Sequence, residues 1–159
     1  MLREIVHYPS PVLRAKTEEV TVFDEELKQL VRDMYETMEE ADGCGLAAPQ
    51  IGLSKRLAVI EYDGRKLTIV NPRITERVGS CVREEGCLSF PGVFEKVEAP
   101  EKITITYQSE NGEELTEEIE GFLARIVCHE TDHLFGKMII DRVPPLKRTL
   151  IKKHLARRG

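Results

Sequence analysis

The hydrophobic pattern of the chain switches between two periods, and the switches mark out its elements. Leu27, Leu30, Val31, Met34 and Met38 recur at three- and four-residue spacing behind Asp24, Glu25 and Glu26. That pattern predicts an amphipathic helix capped by Asp24, with acidic side chains at its positive end, ending before Gly43 after Ala41 and Asp42. The stretch ahead of it, through Arg14, is broken by Pro9 and Pro11 and reads as an irregular arm with at most a turn at Val12–Arg14. Beyond residue 56 the pattern turns strand-like. Leu57–Tyr62 and Leu67–Val70 predict a strand pair around Asp63-Gly64, followed by Ile74–Val78. Gly79–Glu85 is polar and reads as a loop or frayed edge. Ile103, Ile105 and Tyr107 alternate as a strand, Asn111-Gly112 signals a hairpin turn, and Leu115–Ile119 returns. A helical period then resumes from about Gly121 to Leu134 and stops at Gly136. Pro144 and Pro145 open a last helix whose stripe is Leu146, Leu150, Ile151 and Leu155. No internal repeat, low-complexity run or linker interrupts the series. The sum is an α+β fold over a single domain, residues 1–159: antiparallel or mixed sheets around one central helix, with an N-terminal and a C-terminal helix.

The central helix carries the clearest chemistry. His129–His133 read His-Glu-Thr-Asp-His. The spacing sets the two imidazoles one turn apart on one face, where both can converge on one metal ion, with Glu130 in reach of a water there. With four histidines in the chain, the bland alternative of two unrelated surface or core histidines is the weaker one. Two histidines leave a catalytic ion one protein ligand short. Downstream, Asp141 and His154 are the only conventional donors, the first close to the helix end and the second in a basic terminal segment. The third ligand is therefore expected upstream. Cys87, in the glycine-flanked turn Glu85–Gly92, is the leading choice, and Cys44 competes with it. Cys81 lies in a weakly patterned stretch, and Cys128 is about a hundred degrees round the helix from His129.

Composition changes this picture little. Hydrophobic residues are 41% and charged residues 32%, ordinary for a soluble domain. Four cysteines in 159 residues make a poor disulfide framework, and with no secretory segment or membrane-length apolar run the expectation is a cytoplasmic protein. A net charge of -5 argues against a general nucleic-acid binder. Arg142, Lys147, Arg148, Lys152, Lys153, Arg157 and Arg158 nevertheless follow one another with no acidic residue between them. They read as a solvated helix face or as a docking tail for a polyanion.

Three separated segments, Gly43–Gln50 (GCGLAAPQ), Glu85–Ser89 (EGCLS) and His129–His133 (HETDH), together resemble the peptide deformylase family, in the family's order. The resemblance extends to Tyr8–Arg14 (YPSPVLR), Glu120–Arg125 (EGFLAR) and Asp132–Lys137 (DHLFGK), and so spans nearly the whole chain. It implies Cys87, His129 and His133 as ligands of one divalent ion: ferrous iron by the family's habit, with zinc, nickel or cobalt able to take its place. It further implies that a fourth position stays open to water, that Glu130 moves the proton, and that the Gln50 side chain and the Leu88 N–H hold the carbonyl oxygen as charge develops. The substrate so implied is the formylmethionyl end of a nascent polypeptide, with formate as product. Phe122 and Ile126, on the helix face that continues to the histidines, are candidates for the methionine slot, with Cys44 and Leu88. Gly43, Gly45 and Gly86 would let a peptide backbone lie alongside as an added strand. The basic C-terminal helix suggests ribosome contact.

Two positions depart from the pattern. Cys128 stands where the family usually has glutamine, and Ala99 where many relatives have an arginine. The second leaves open what fixes Asp132, expected to support the ligands from behind, with Arg83 and Arg125 as replacements. Three rival readings remain at this level: another hydrolase built on the HExxH motif, a non-catalytic deformylase-like domain that binds metal or peptide ends, and a purely structural metal site, which would normally be four-coordinate and closed.

Overall fold

A computed structural model of the chain describes residues 1–158, the side chain of Arg158 excepted; the last cation of the basic tail and Gly159 thus lie outside the described residues. Helix α1 (Glu25–Glu40) begins where Asp24 accepts a hydrogen bond from the Leu27 amide at 3.0 Å. Five antiparallel strands form the main sheet: β1 (Gly45–Ala47), β2 (Leu57–Tyr62), β3 (Arg65–Val78), β6 (Lys102–Gln108) and β7 (Glu114–Glu120), in that spatial order. A separate two-stranded ribbon pairs β4 (Cys81–Gly86) with β5 (Phe94–Ala99). Helices α2 (Phe122–His133) and α3 (Pro145–Arg158) complete the chain, with short 3-10 turns at Pro11–Leu13, Ala48–Ile51 and Ile139–Arg142.

The main sheet is covered on both faces, which explains the unbroken apolar run of β2. Ala58 and Ile60 face α2, packing with Ile69, Ile105, Ile126 and Val127. Leu57 and Val59 face α1, against Leu30, Met34 and Met38. A strand buried on both faces shows no polar alternation. A third cluster joins Leu13, Phe90, Val97, Ile139 and Ile140 to Ile151 and Leu155 of α3.

Three expectations are corrected. The polar stretch Gly79–Glu85 is not a loop: from Cys81 it is strand β4, and Glu85 is its one buried residue. Leu67–Val70 and Ile74–Val78 belong to one long strand, β3, with a register shift across the Asn71-Pro72 step, where Asn71 is at φ 50°, and a second between Ile74 and Glu76. A proline cannot donate to the ladder, so the strand bulges there instead of ending. Along α3 the expected stripe is only half right: Ile151 and Leu155 are buried, whereas Leu146 is 74% and Leu150 56% exposed. The helix meets the rest of the protein through one narrow cluster, too small to cover four leucine-type positions.

Candidate metal centre

Helix α2 runs under the edge strand β1, and its last turn brings His129 and His133 together with ring centroids 5.0 Å apart. Gly121 starts the helix at φ 74°, a conformation that needs glycine. Cys87, in the turn that leaves β4, reaches the same face, with Sγ 3.2 Å from His133 Nε2. One ligand atom from each of Cys87, His129 and His133 lies within 4.8 Å of the others. Donors about 2.0–2.3 Å from one ion at tetrahedral angles sit roughly 3.3–3.7 Å apart, so the cluster needs only small shifts to close on a divalent cation. A soft thiolate and two imidazoles suit zinc and ferrous iron alike. Of the four cysteines, Cys44 is in the cleft wall, Cys81 in β4, and Cys128 buried in the α2 core; none of the three joins the cluster.

His129 is held from behind. Its Nδ1 lies 3.1 Å from Glu85 Oε1, which leaves Nε2 for the cluster. Glu85 is itself buried and gripped by two arginines. Arg142 binds it bidentately, Nη1 to Oε1 at 2.9 Å and Nη2 to Oε2 at 3.1 Å, and Arg125 Nη1 donates to Oε2. Arg125 also donates to the carbonyls of Val97 (3.0 Å) and Cys81 (2.6 Å), and Arg142 to that of Glu98 (2.8 Å). Burial works against the Glu85 carboxylate, yet His129 and Arg142 outweigh it and hold its pKa below the usual value. Sequence reasoning missed Glu85 and Arg142. The signal for Glu85 was present: it stands two residues before Cys87, and strand alternation sends positions two apart to one side. Asp132 makes no side-chain hydrogen bond among the described residues; burial raises its pKa. Arg125, expected as its partner, serves Glu85 instead, because its position one turn before His129 aims it at β4. Arg125 and Arg142 together supply the positive charge that Ala99 lacks.

The acid–base candidate lies beside the three candidate donors. Glu130 is buried, its Oε1 has no hydrogen-bond partner, and burial pushes its carboxyl up to about 7. Gly45 packs directly on it: a Cβ there would sit 2.3 Å from Glu130 Oε2. Within the cluster, burial disfavours a charged His129, but Glu130, Cys87 and Glu85 outweigh that and raise its pKa; burial and the neighbouring His129 lower that of His133. Gln50 is oriented at both ends of its amide. Its Oε1 accepts from Ala47 N at 2.9 Å, so Nε2 points at Ser89 Oγ (3.3 Å) and Cys87 Sγ (3.6 Å).

These groups face a cleft of about 430 Å³ bounded by Gly43, Cys44 and Gly45 on one side and by Gly86, Leu88 and Phe94 on the other. Gly43 is close-packed as well, since a Cβ would come 2.7 Å from the Leu88 side chain. Phe122 and Ile126 are not among the residues lining this cleft: Ile126 is buried in the apolar cluster that Cys44 packs against, and Phe122 is half-buried at the edge of that cluster, tilted on Tyr62 at 5.1 Å.

A thiol from a turn and an HExxH helix meeting under a glycine-rich edge strand is a narrow combination, and comparison with known proteins resolves it. The family model described as polypeptide deformylase matches residues 2–149. The chain belongs to the polypeptide deformylase family. It is 48% identical over 160 residues to a peptide deformylase of Acidobacterium capsulatum, covering 98% of this chain and 94% of that one. A crystal structure of a peptide deformylase from Legionella pneumophila superimposes with a TM-score of 0.95 at 41% identity, covering 99% and 95% of the two chains. That of Thermotoga maritima gives 0.89 at 44% identity, covering 91% and 99%. At these TM-scores and coverages the three chains share one fold over nearly their whole length.

Proposed function

We propose that this centre performs metal-dependent hydrolysis of the N-formyl group from the formylmethionine end of new polypeptides, releasing formate, with the following division of labour. Cys87, His129 and His133 would hold a divalent ion, whose Lewis acidity would make water a nucleophile at neutral pH. Glu130 takes the proton from the attacking water and returns it to the departing amine; a buried carboxyl titrating near 7 suits both halves of that exchange. The Gln50 amide, fixed by Ala47 N, and the Leu88 N–H next to Cys87 donate to the formyl oxygen as it gains charge. Glu85, with Arg125 and Arg142 behind it, holds His129 in one tautomer and orientation. The methionine side chain enters between Cys44 and Leu88 toward the cluster of Ile126 and Phe122, and the peptide backbone lies between Gly43–Gly45 and Gly86.

The observation that carries this reading is the unpartnered, buried Glu130 oxygen beside a three-donor cluster open to a cleft. A structural metal site is closed by four ligands and needs no such base. Glu130→Gln is expected to retain the ion and lose about 10²–10⁴-fold in formate release from a short formyl-Met peptide. Unchanged turnover refutes the assigned role, and cleavage of an unformylated peptide instead supports a general peptidase. By the family's habit the ion is ferrous iron. Metal analysis of protein purified without oxygen tests this, and zinc as the sole ion found would reject it.

The whole chain, residues 1–159, acts as one catalytic unit in the cytoplasm; no helix among the described residues is long and apolar enough to cross a membrane. Contact with the ribosome is assigned to α3. Of the basic run, Arg142 ahead of α3 is committed to Glu85, Lys147 to Glu95, and Arg148 to the carbonyls of Ile140 and Val143. The exposed face left for contact includes Leu146, Leu150, Lys152, Lys153, His154 and Arg157. Lys152→Glu with Lys153→Glu leaving co-sedimentation with ribosomes intact would rule that surface out.

A further inference from the structure

The catalytic cleft is larger than a methionine side chain requires, and its outer wall carries a residue that packing does not explain. Phe94 is 64% exposed at the mouth of the cleft. Alternation along β5 puts it with Lys96 and Glu98 on the solvent face, while Val97 and Ala99 point inward. The two charged residues are at home in water; a phenylalanine is not stabilised there. Register explains how it reaches the cleft. Phe94 is paired with Gly86, the last residue of β4, one position before the ligand Cys87. Gly86 has no side chain, and the ring lies across it: a Cβ on Gly86 would be 2.7 and 2.9 Å from two ring carbons. The ring therefore covers the outer face of β4 where that strand presents its unpaired edge to the cleft.

A peptide laid along that edge alternates its side chains between the two faces. The inner face is the one that Glu85 and Cys87 share with α2, and it takes the methionine. The next side chain must then emerge on the outer face, on the side of Phe94. Side chains on one face of neighbouring strands touch even diagonally, and an aromatic ring lying over a glycine extends that reach by a strand.

We propose that Phe94 is a specificity-determining shelf that favours an apolar side chain at the second residue of the formylated peptide. The inference rests on the reading that formylmethionyl peptides occupy this cleft. Contact with Phe94 forms when the peptide binds and is unchanged as the formyl group reacts, so the preference falls on KM and leaves kcat alone.

The test uses the metal-loaded full chain and formyl-Met-X-Ser peptides with X as leucine or serine, followed by formate release. The leucine-to-serine ratio of kcat/KM is expected to be about tenfold, equivalent to ~1.4 kcal/mol. It should fall below about twofold in Phe94→Ala and be retained in Phe94→Tyr. The same exchange at the third residue, with glycine at the second, should give a ratio that Phe94→Ala does not alter. Circular dichroism and metal content check that each variant is folded and loaded. A ratio equal in wild type and Phe94→Ala overturns the proposal, as does a Phe94-dependent ratio confined to the third residue. Formate released from none of the formylated peptides would remove the deformylase reading itself, and this inference with it.

Discussion

Replacing Arg125 with methionine tests whether the buried Glu85 cluster is held by charge or merely filled by bulk. The Arg125 side chain is 4% exposed and donates to three groups: the Glu85 carboxylate and the carbonyls of Val97 and Cys81. Methionine keeps much of the volume and none of the donors. Each buried acceptor left without a donor costs about 1–3 kcal/mol. Breaking a buried ion pair outright costs about 3–5 kcal/mol, but the bidentate Arg142 still holds the carboxylate, so the charge contributes less than that. The expected total is about 3–5 kcal/mol. Arg142→Ala gives the internal comparison. Its side chain is 20% exposed and water can replace it, so the loss there should be nearer ~1–2 kcal/mol. Urea unfolding followed by circular dichroism measures both, since the chain has no tryptophan. Chelator-treated protein removes the ion's own contribution to stability. Metal affinity, measured separately by competition with a chelator, should fall about ten- to a hundredfold in Arg125→Met, because Glu85 no longer fixes His129 firmly. A loss below ~1 kcal/mol in Arg125→Met, or one no larger than in Arg142→Ala, would refute the reasoning.

Two further substitutions probe other parts of the structure. Gly45→Ala places a methyl group 2.3 Å from Glu130 Oε2, so the carboxylate must turn away; formate release should fall about a hundredfold with metal content unchanged, and full activity would show that Glu130 need not lie where it does. Asp33, held by the chain's amino group, Gln29 and Arg3, has its pKa lowered from 3.8 to about 2. A folded-state pKa below the unfolded one means its contribution is complete above about pH 4 and fades as pH falls through 3.8 toward 2. Asp33→Asn should therefore flatten the stability profile across that interval while lowering stability at neutral pH, as equilibrium unfolding at stepped pH would register; a variant with the wild-type acid limb contradicts the assignment.

The sequence by itself determined those features whose physics is local. The period of Leu27–Met38 with Asp24 in front sets α1 and its cap, since both depend only on neighbours along the helix. The four-residue spacing of His129 and His133 puts two donors on one face of any helix that contains them. Hairpins at Asp63-Gly64 and around Asn111-Gly112 follow from turn residues that tolerate positive φ. Tertiary structure alone decided the rest, and β4 shows why. Pattern reading looks for apolar residues on the buried side of a strand, but the one buried residue of β4 is Glu85, tolerable there only because Arg125, Arg142 and His129 arrive from forty or more positions away. Likewise no local rule distinguishes Leu150 from Ile151; which of them is covered depends on where Phe90, Met138 and Ile140 leave room for α3. Side chains of one segment fix periodicity and caps, whereas a buried charge is stable only with its partners, and those partners are brought together by the fold.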